Sequence, residues 1–342
     1  MEDIKKLTLH ELESILTNWQ QPKYHARQIF SWIYKKFIID FDLMSDLPIA
    51  LRQKLKENFF ITSIKLEKQQ CAKDGTEKFL LKLADNNFIE AVIIPAKGRV
   101  TACISSQVGC KFACSFCASG IKGFKRNLTH LEIIEQLLLL KNKFSGGVIT
   151  HIVFMGTGEP LDNYDFVLKA IRLINSKDVF NIGARRITIS TCGIIPGIKR
   201  LEDEDLQIEL SISLHSADEN MRQKIVPVDR KYPLKELIRT CKEYIKATGR
   251  QITFEYILIS GLNSSLQDAQ KLVRILSGLR LAKVNLIPAN PVKELNIAPP
   301  GKLEILLFQD TLKKAGIPVT LRRQRGQDID ASCGQLRLKY EK

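Results

Sequence analysis

From residue 100 to residue 321 one alternation repeats: a short run rich in Ile, Leu, Val and Thr, then a stretch of helical period. The runs 100–105, 149–155, 186–191, 207–213, 252–259, 282–287 and 317–321 read as strands. Several of the intervals between them carry helix signals. Thr129 with Glu132 forms a capping box ahead of Ile133 to Leu140, Pro233 suits the first turn of 233–247, and Gly316 with Pro318 ends 301–315. Strands joined through helices pair in parallel, with right-handed crossovers. The expected fold class is therefore α/β, with six strand–helix units closing part of a barrel, a partial (β/α)6 arrangement. Residues after each strand then converge on one mouth.

Residues 1–60 read as helical. Leu9, Leu12, Ile15 and Leu16 make one apolar stripe, and Ile29, Trp32, Ile33 and Phe37 make another. A third helix follows Pro48, with Leu51, Leu55 and Phe59 inward. Residues 62–106 change period: 62–71, 77–84, 88–94 and 99–105 read as short strands joined by turns such as Lys73-Asp74-Gly75 and Ala96-Lys97-Gly98. Two domains are expected: a small N-terminal helical accessory domain over residues 1–90, ending in short strands, and a core over residues 91–342. A hydrophobic share of 44% suffices for such a core. No apolar run is long enough to span a bilayer, and Met1-Glu2-Asp3-Ile4-Lys5-Lys6 does not resemble a signal peptide. A soluble, cytoplasmic protein is expected.

Eight cysteines in 342 residues do not make a disulfide scaffold. Cys71 and Cys241 stand in ordinary surroundings and read as small core residues. Three others share the loop after the first barrel strand, Cys110-Lys111-Phe112-Ala113-Cys114-Ser115-Phe116-Cys117. Ionised thiols are soft ligands that favour zinc or an iron–sulfur cluster. A cubane held by three thiolates keeps one iron open, and an open metal position is where chemistry can happen. The alternative is a structural zinc site completed by a distant Cys or His. Cys103, seven residues before Cys110, is a candidate fourth ligand.

The other strand ends are polar. The second leads into Met155-Gly156-Thr157-Gly158-Glu159-Pro160, whose glycines let backbone approach a ligand closely. The third ends at Ser190-Thr191-Cys192-Gly193, the fourth at Ser213-Leu214-His215, and the sixth at Asn290-Pro291. Together they offer enough hydrogen-bonding groups for an amino acid and a ribose. The net charge is +15, of which residues 1–90 hold only +1. Lys97, Arg99, Lys111, Lys122, Lys125 and Arg126 have no acidic residue among them, and the last 30 residues carry eight basic and three acidic side chains. Positive charge brackets the cysteine loop, which points to a polyanionic substrate.

Longer motifs narrow the reading. Cys103-Ile104-Ser105-Ser106-Gln107-Val108-Gly109-Cys110 followed by Gly123-Phe124-Lys125-Arg126-Asn127-Leu128-Thr129 resembles the bacterial RNA adenine-C2 methyltransferases of the RlmN type, which are radical S-adenosylmethionine (SAM) enzymes. Gly158-Glu159-Pro160, Ser211-Ile212-Ser213-Leu214-His215, Arg230-Lys231-Tyr232-Pro233-Leu234 and Asp328-Ile329-Asp330-Ala331-Ser332-Cys333-Gly334-Gln335-Leu336 are similar too, in the family's order. Departures are confined to Ser119, Thr157 and Ser216. None stands at a position expected to bind or react.

The resemblance implies a radical SAM barrel and the following roles. Cys110, Cys114 and Cys117 hold one 4Fe-4S cluster whose open iron chelates SAM, leaving Cys103 out of the ligand set. Gly158, Glu159, Ser190, Ser213, Leu214, His215 and Asn290 bind SAM. One SAM methylates Cys333, and a second is split to a 5′-deoxyadenosyl radical that takes a hydrogen from the S-methyl group. The methylene radical adds to carbon 2 of adenine, an electron-poor carbon that is a poor nucleophile. Glu90, in an apolar run where a charge is costly to bury, accepts the proton. Cys103 then attacks the sulfur of Cys333, and the disulfide so formed releases the product. The implied partners are 23S ribosomal RNA, transfer RNA and a flavodoxin-type reductant, acting on a monomer, with residues 1–90 supporting the RNA. The rivals are the sibling Cfr-type adenine-C8 methyltransferases and, from another class, a zinc-containing RNA-binding protein without catalysis.

Overall fold

The computed structural model describes residues 1–289, 297–322, 325, 326, 329 and 340. The chain opens with three helices, α1 (Leu9–Asn18), α2 (Tyr24–Tyr34) and α3 (Ile49–Asn58). They form because the expected stripes close on one another: Leu12, Leu16, Ile29, Ile33, Leu51 and Leu55 are all buried. Phe37 lies beyond the end of α2, with φ at 60°. A short parallel pair, β1 (Glu2–Asp3) with β2 (Phe59–Phe60), closes the bundle. Lys5 and Thr62 then reach into the next unit. The Lys5 ammonium donates to Thr62 O at 2.6 Å and pairs with Glu135, which also accepts from the Thr62 hydroxyl.

A single ten-stranded sheet follows. β3 (Lys65–Cys71), β4 (Glu77–Lys82), β5 (Phe88–Ala96) and β6 (Arg99–Cys103) pair in sequence, all antiparallel. After β6 the small hairpin of β7 (Gln107–Gly109) and β8 (Phe124–Asn127) leads to α4 (His130–Lys143). The alternation then runs β9 (His151–Phe154), α5 (Tyr164–Asn175), β10 (Ile187–Thr191), α6 (Ile195–Glu202) and β11 (Glu209–Ser213). It continues through α7 (Glu219–Ile225), α8 (Leu234–Thr248), β12 (Ile252–Leu258), α9 (Leu266–Leu276), β13 (Ala282–Pro288), α10 (Lys302–Lys314) and β14 (Val319–Leu321). Across the sheet the order is β14-β13-β12-β11-β10-β9-β6-β5-β4-β3, parallel from β6 to β14. The expected mixed α/β architecture, a partial barrel behind a helical N-terminal region, is the one observed. The Thr129–Glu132 capping box is present at the start of α4.

The side-chain alternation along the strands sorts the barrel into two faces. Ile189, Leu210, Ile212, Phe254 and Val284 point one way and are buried in the hydrophobic core. The opposite parity is polar. Ser190, Ser211, Thr253 and Lys283 make one row of paired positions, and Ser213, Glu255, Asn285 and Thr320 make the next. This inner face opens into a cavity of about 320 Å³ at the strands' C-terminal ends. Residue 90 lies within β5, so the antiparallel strands form a wall of the same chamber: Thr76, Val92 and Ile94 line it.

One cysteine corrects the sequence reading. Cys241 is buried as expected, but Cys71 is exposed, because β3 is the outermost strand of the sheet.

Candidate active site

Cys110, Cys114 and Cys117 all line the cavity. Their loop is shaped by its own backbone. The N–H of Cys110 donates to Gly123 O at 3.2 Å, that of Cys117 to Cys114 O at 3.0 Å, and that of Ser115 to Ile225 O at 3.0 Å. Ala113 turns the chain with φ at 48°, and a Cβ on Gly120 would stand 2.8 Å from its Cα. Burial pushes the Cys110 thiol up to about 12 and raises Cys114 as well. These are thiols for a metal to deprotonate rather than nucleophiles poised for attack.

The expected ring of strand-end residues converges on the same cavity: Gly158, Glu159, Ser190, Ser213 and His215 line it, while Leu214 is wholly buried beside them. Glu159 is locked, its two oxygens accepting from Leu161 N–H at 3.0 Å and Cys192 N–H at 2.8 Å. Burial still raises its carboxyl above the usual range. The Ser190 and Ser213 hydroxyls are 3.3 Å apart. His215 sits in the left-handed region, φ 59°, with Nδ1 accepting from Ile257 N–H at 3.0 Å. Burial lowers its pKa to about 3. The ring is therefore neutral, with its hydrogen on Nε2. Glycines 156 and 158 line the cavity and also have a packing reason. A Cβ on Gly158 would come within 2.5 Å of Gln107 Cβ, and one on Gly156 within 2.7 Å of the Ile104 carbonyl, so both make room for the β6–β7 connection.

One side chain braces the ring. Arg222 on α7 is fully buried. Its guanidinium donates to Cys192 O at 2.8 Å, Leu214 O at 3.1 Å and Ser213 O at 3.4 Å, and pairs with Asp229. It thus joins the ends of β10 and β11, while the C-terminal end of its helix holds the cysteine loop through Ser115. Removing one partner of a fully buried ion pair costs about 3–5 kcal/mol. Arg222→Met is expected to lower stability by that amount in denaturant unfolding; a change below about 1 kcal/mol would show that the brace is dispensable.

Glu90 (3% exposed) and Cys103 (6%) are buried on the same face of the sheet as Val92, which lines the cavity, but neither of them lines it. Cys103 pairs with Val92, and Glu90 lies two residues from Val92 towards the mouth. Asn290 and Cys333 lie outside the described residues. Those flanking the Cys333 segment contact the β3–β5 strands: Gly326 N–H donates to Asp74 at 3.1 Å, Arg325 stands 3.7 Å from the same carboxylate, and the Tyr340 ring meets Phe88 at 5.1 Å.

The positive charge around the cysteine loop is less free than the sequence suggests. Lys111 pairs with Asp162 at 2.5 Å, and Arg126 with Asp85 at 2.6 Å and Glu132 at 2.7 Å. Lys125 donates to Asn87 at 2.7 Å.

Comparison with known proteins agrees with this geometry. The radical SAM superfamily matches residues 104–273, and the ribosomal RNA large subunit methyltransferase N-terminal domain matches residues 2–61. A protein of Clostridium novyi (strain NT) named "Probable dual-specificity RNA methyltransferase RlmN" is 45% identical over 341 residues, 99% of each chain. The chain belongs to the RlmN-type radical SAM RNA methyltransferases. A relative of the same name from Alkaliphilus oremlandii (strain OhILAs) is 47% identical over 99% of this chain and 98% of its own. The crystal structure of a radical SAM methyltransferase from Sphaerobacter thermophilus superposes with a TM-score of 0.92 at 42% identity, covering 98% of this chain and 99% of that one. As an RlmN-type protein the chain is an enzyme, and its superfamily implies an iron–sulfur and SAM cofactor. Among the described residues, no helix is long and apolar enough to cross a membrane.

The residues present fit such a cofactor: three cysteines, soft donors once ionised, line one cavity. Among the described residues no group of three His, Cys, Asp or Glu side chains is placed to hold a single metal ion. Sequence reasoning missed Arg222 and Glu255, which also lines the cavity and accepts from Asn285 Nδ2 at 2.8 Å. A carboxylate at the inward parity of an apolar strand was the available signal for Glu255. Arg222 had none, since an Arg on a short helix reads as solvated.

Proposed function

We propose that this RlmN-type enzyme methylates carbon 2 of a specific adenine in the peptidyl-transferase region of 23S ribosomal RNA, and of the adenine next to the anticodon in transfer RNAs, using two SAM per turnover. The carrying observation is the cavity itself, where three cysteines meet the polar strand ends Gly158, Glu159, Ser190, Ser213 and His215, beside the strands β5 and β6 that carry Glu90 and Cys103. Cys110, Cys114 and Cys117 hold one 4Fe-4S cluster. Gly158, Glu159, Ser190, Ser213, Leu214, His215 and Asn290 hold SAM, with His215 Nε2–H as a fixed donor. When bound, the cluster and SAM supply the radical that activates the methyl group. Cys333 carries that group as S-methylcysteine, Glu90 takes the proton from carbon 2, and Cys103 closes the transient disulfide that frees the base. Residues 1–90 help to hold the RNA, residues 91–342 carry the chemistry, and the enzyme works as a cytoplasmic monomer served by a flavodoxin-type reductant. The target base must leave its stack to reach these residues.

The test is an anaerobic assay on unmodified RNA fragments with labelled SAM, read by mass spectrometry of the digested RNA. The expected product is 2-methyladenosine from both ribosomal and transfer RNA fragments. Predominant 8-methyladenosine would transfer the chain to the Cfr-type chemistry, and a colourless, zinc-containing, inactive protein would remove the catalytic reading altogether.

A further inference from the structure

The wall opposite the cysteines contains a charge that the mechanism above does not use. Lys78 lies on β4 with its side chain 0% exposed, and its ammonium stands 3.0 Å from Glu90 Oε2. The neighbouring positions Phe79, Leu80 and Leu81 are buried and apolar, so the lysine is out of keeping with its surroundings. Register accounts for the meeting: Lys78 pairs with Val92 on one side of β5, and Cys103 pairs with the same Val92 on the other. Glu90, two residues along β5, is the diagonal neighbour of both. Its backbone is held as well, since its carbonyl accepts from the Ser105 hydroxyl at 2.6 Å. Lys78 has no exposed surface with which to touch an RNA phosphate.

A buried ion pair is a weak device for stability, because apolar residues of similar volume commonly serve as well. Its use here is chemical. A carboxyl group buried alone favours its neutral form, and a neutral acid cannot accept a proton. We propose that Lys78 is a positioning residue for the methyl transfer, its ammonium pairing with the Glu90 carboxylate and keeping it aimed along the wall until carbon 2 has reacted. The inference rests on the reading of Glu90 as proton acceptor. In that step the proton leaves carbon 2, its bonding pair stays with the ring, and a Glu90 oxygen passes from anion to neutral acid. Lys78 remains an ammonium throughout. The buried pair then carries a net positive charge, which favours passing the proton onward and resetting the base.

The experiment compares Glu90→Gln, Lys78→Met and Lys78→Arg as reconstituted enzymes with an RNA fragment and SAM. The readouts are iron content, SAM binding, methylated product and covalent protein–RNA adduct on denaturing gels. Glu90→Gln and Lys78→Met are expected to keep iron and SAM binding, to lose about 100-fold in product formation, and to accumulate adduct. Lys78→Arg, which retains the charge, is expected to return product to within about tenfold of the parent. Trapping by Glu90→Gln but not by Lys78→Met, or parent-like turnover of Lys78→Met, would overturn the role of Lys78. Parent-like turnover of Glu90→Gln would instead remove Glu90 as acceptor. Lys78→Gln, which keeps a hydrogen-bonding group but no charge, is read by the same criteria if Lys78→Met fails to take up iron.

Discussion

A Cys114→Ala variant is expected to purify folded, to hold no 4Fe-4S cluster after anaerobic reconstitution, and to methylate no RNA. The loop's backbone is held by the bonds of Cys110, Ser115 and Cys117 and by the turn at Ala113, none of which uses the Cys114 side chain. Stability should therefore stay within about 1 kcal/mol of the parent. On the proposed ligand set, what is lost is one of three thiolates around a cofactor that already has one fewer than is usual for a cubane. Iron per chain and thermal unfolding check the two halves of the expectation. A variant that retained full iron and turnover would show that Cys114 is not a ligand, and with it the three-cysteine reading would fall.

The second large effect separates carrier from cofactor. Cys333→Ala is expected to retain iron and SAM binding while methylation falls by at least about 1,000-fold, as it does when a covalent nucleophile is removed. The described residues flanking the Cys333 segment touch Asp74 and Phe88, and one of them, Arg325, lines the cavity. Radiolabel from SAM should appear on the parent protein and be absent from the variant. Retained turnover would remove the methyl-carrier role and leave the cluster assignment untouched.

Much of the barrel was legible because its strands obey a strict period of two. The Ser-Ile-Ser of β11 and the Ile-Thr-Phe-Glu of β12 already separate an apolar face from a polar one. Each of the seven expected parallel strands is present, most with ends shifted by a residue or two. The cysteine loop and the Thr129–Glu132 cap were legible for a similar reason, being local patterns with local causes. What stayed hidden depends on partners distant in the chain. Nothing in the runs 77–84 and 88–94 says that they extend the barrel sheet, or that Lys78 faces Glu90. The glycines of 155–160 signal a close approach but not to what: within the chain, Gly156 meets Ile104 and Gly158 meets Gln107. The basic residues near the cysteines could be counted, yet Asp85, Glu132 and Asp162 that neutralise some of them come from other elements. Exposed pairs of that kind contribute little stability, but they compete with phosphates for the same cations.

The continuous pairing from β3 to β14 has a consequence for how such a protein can be taken apart. Severing the polypeptide near residue 90 would cut through β5 and take away β4, so the remainder of β5, still paired with β6, would present a bare row of amide and carbonyl groups, a template for aggregation rather than a tidy catalytic fragment. The leading segment and the barrel are stitched by main-chain bonds, so this enzyme cannot be assembled as a detachable tether plus an autonomous engine.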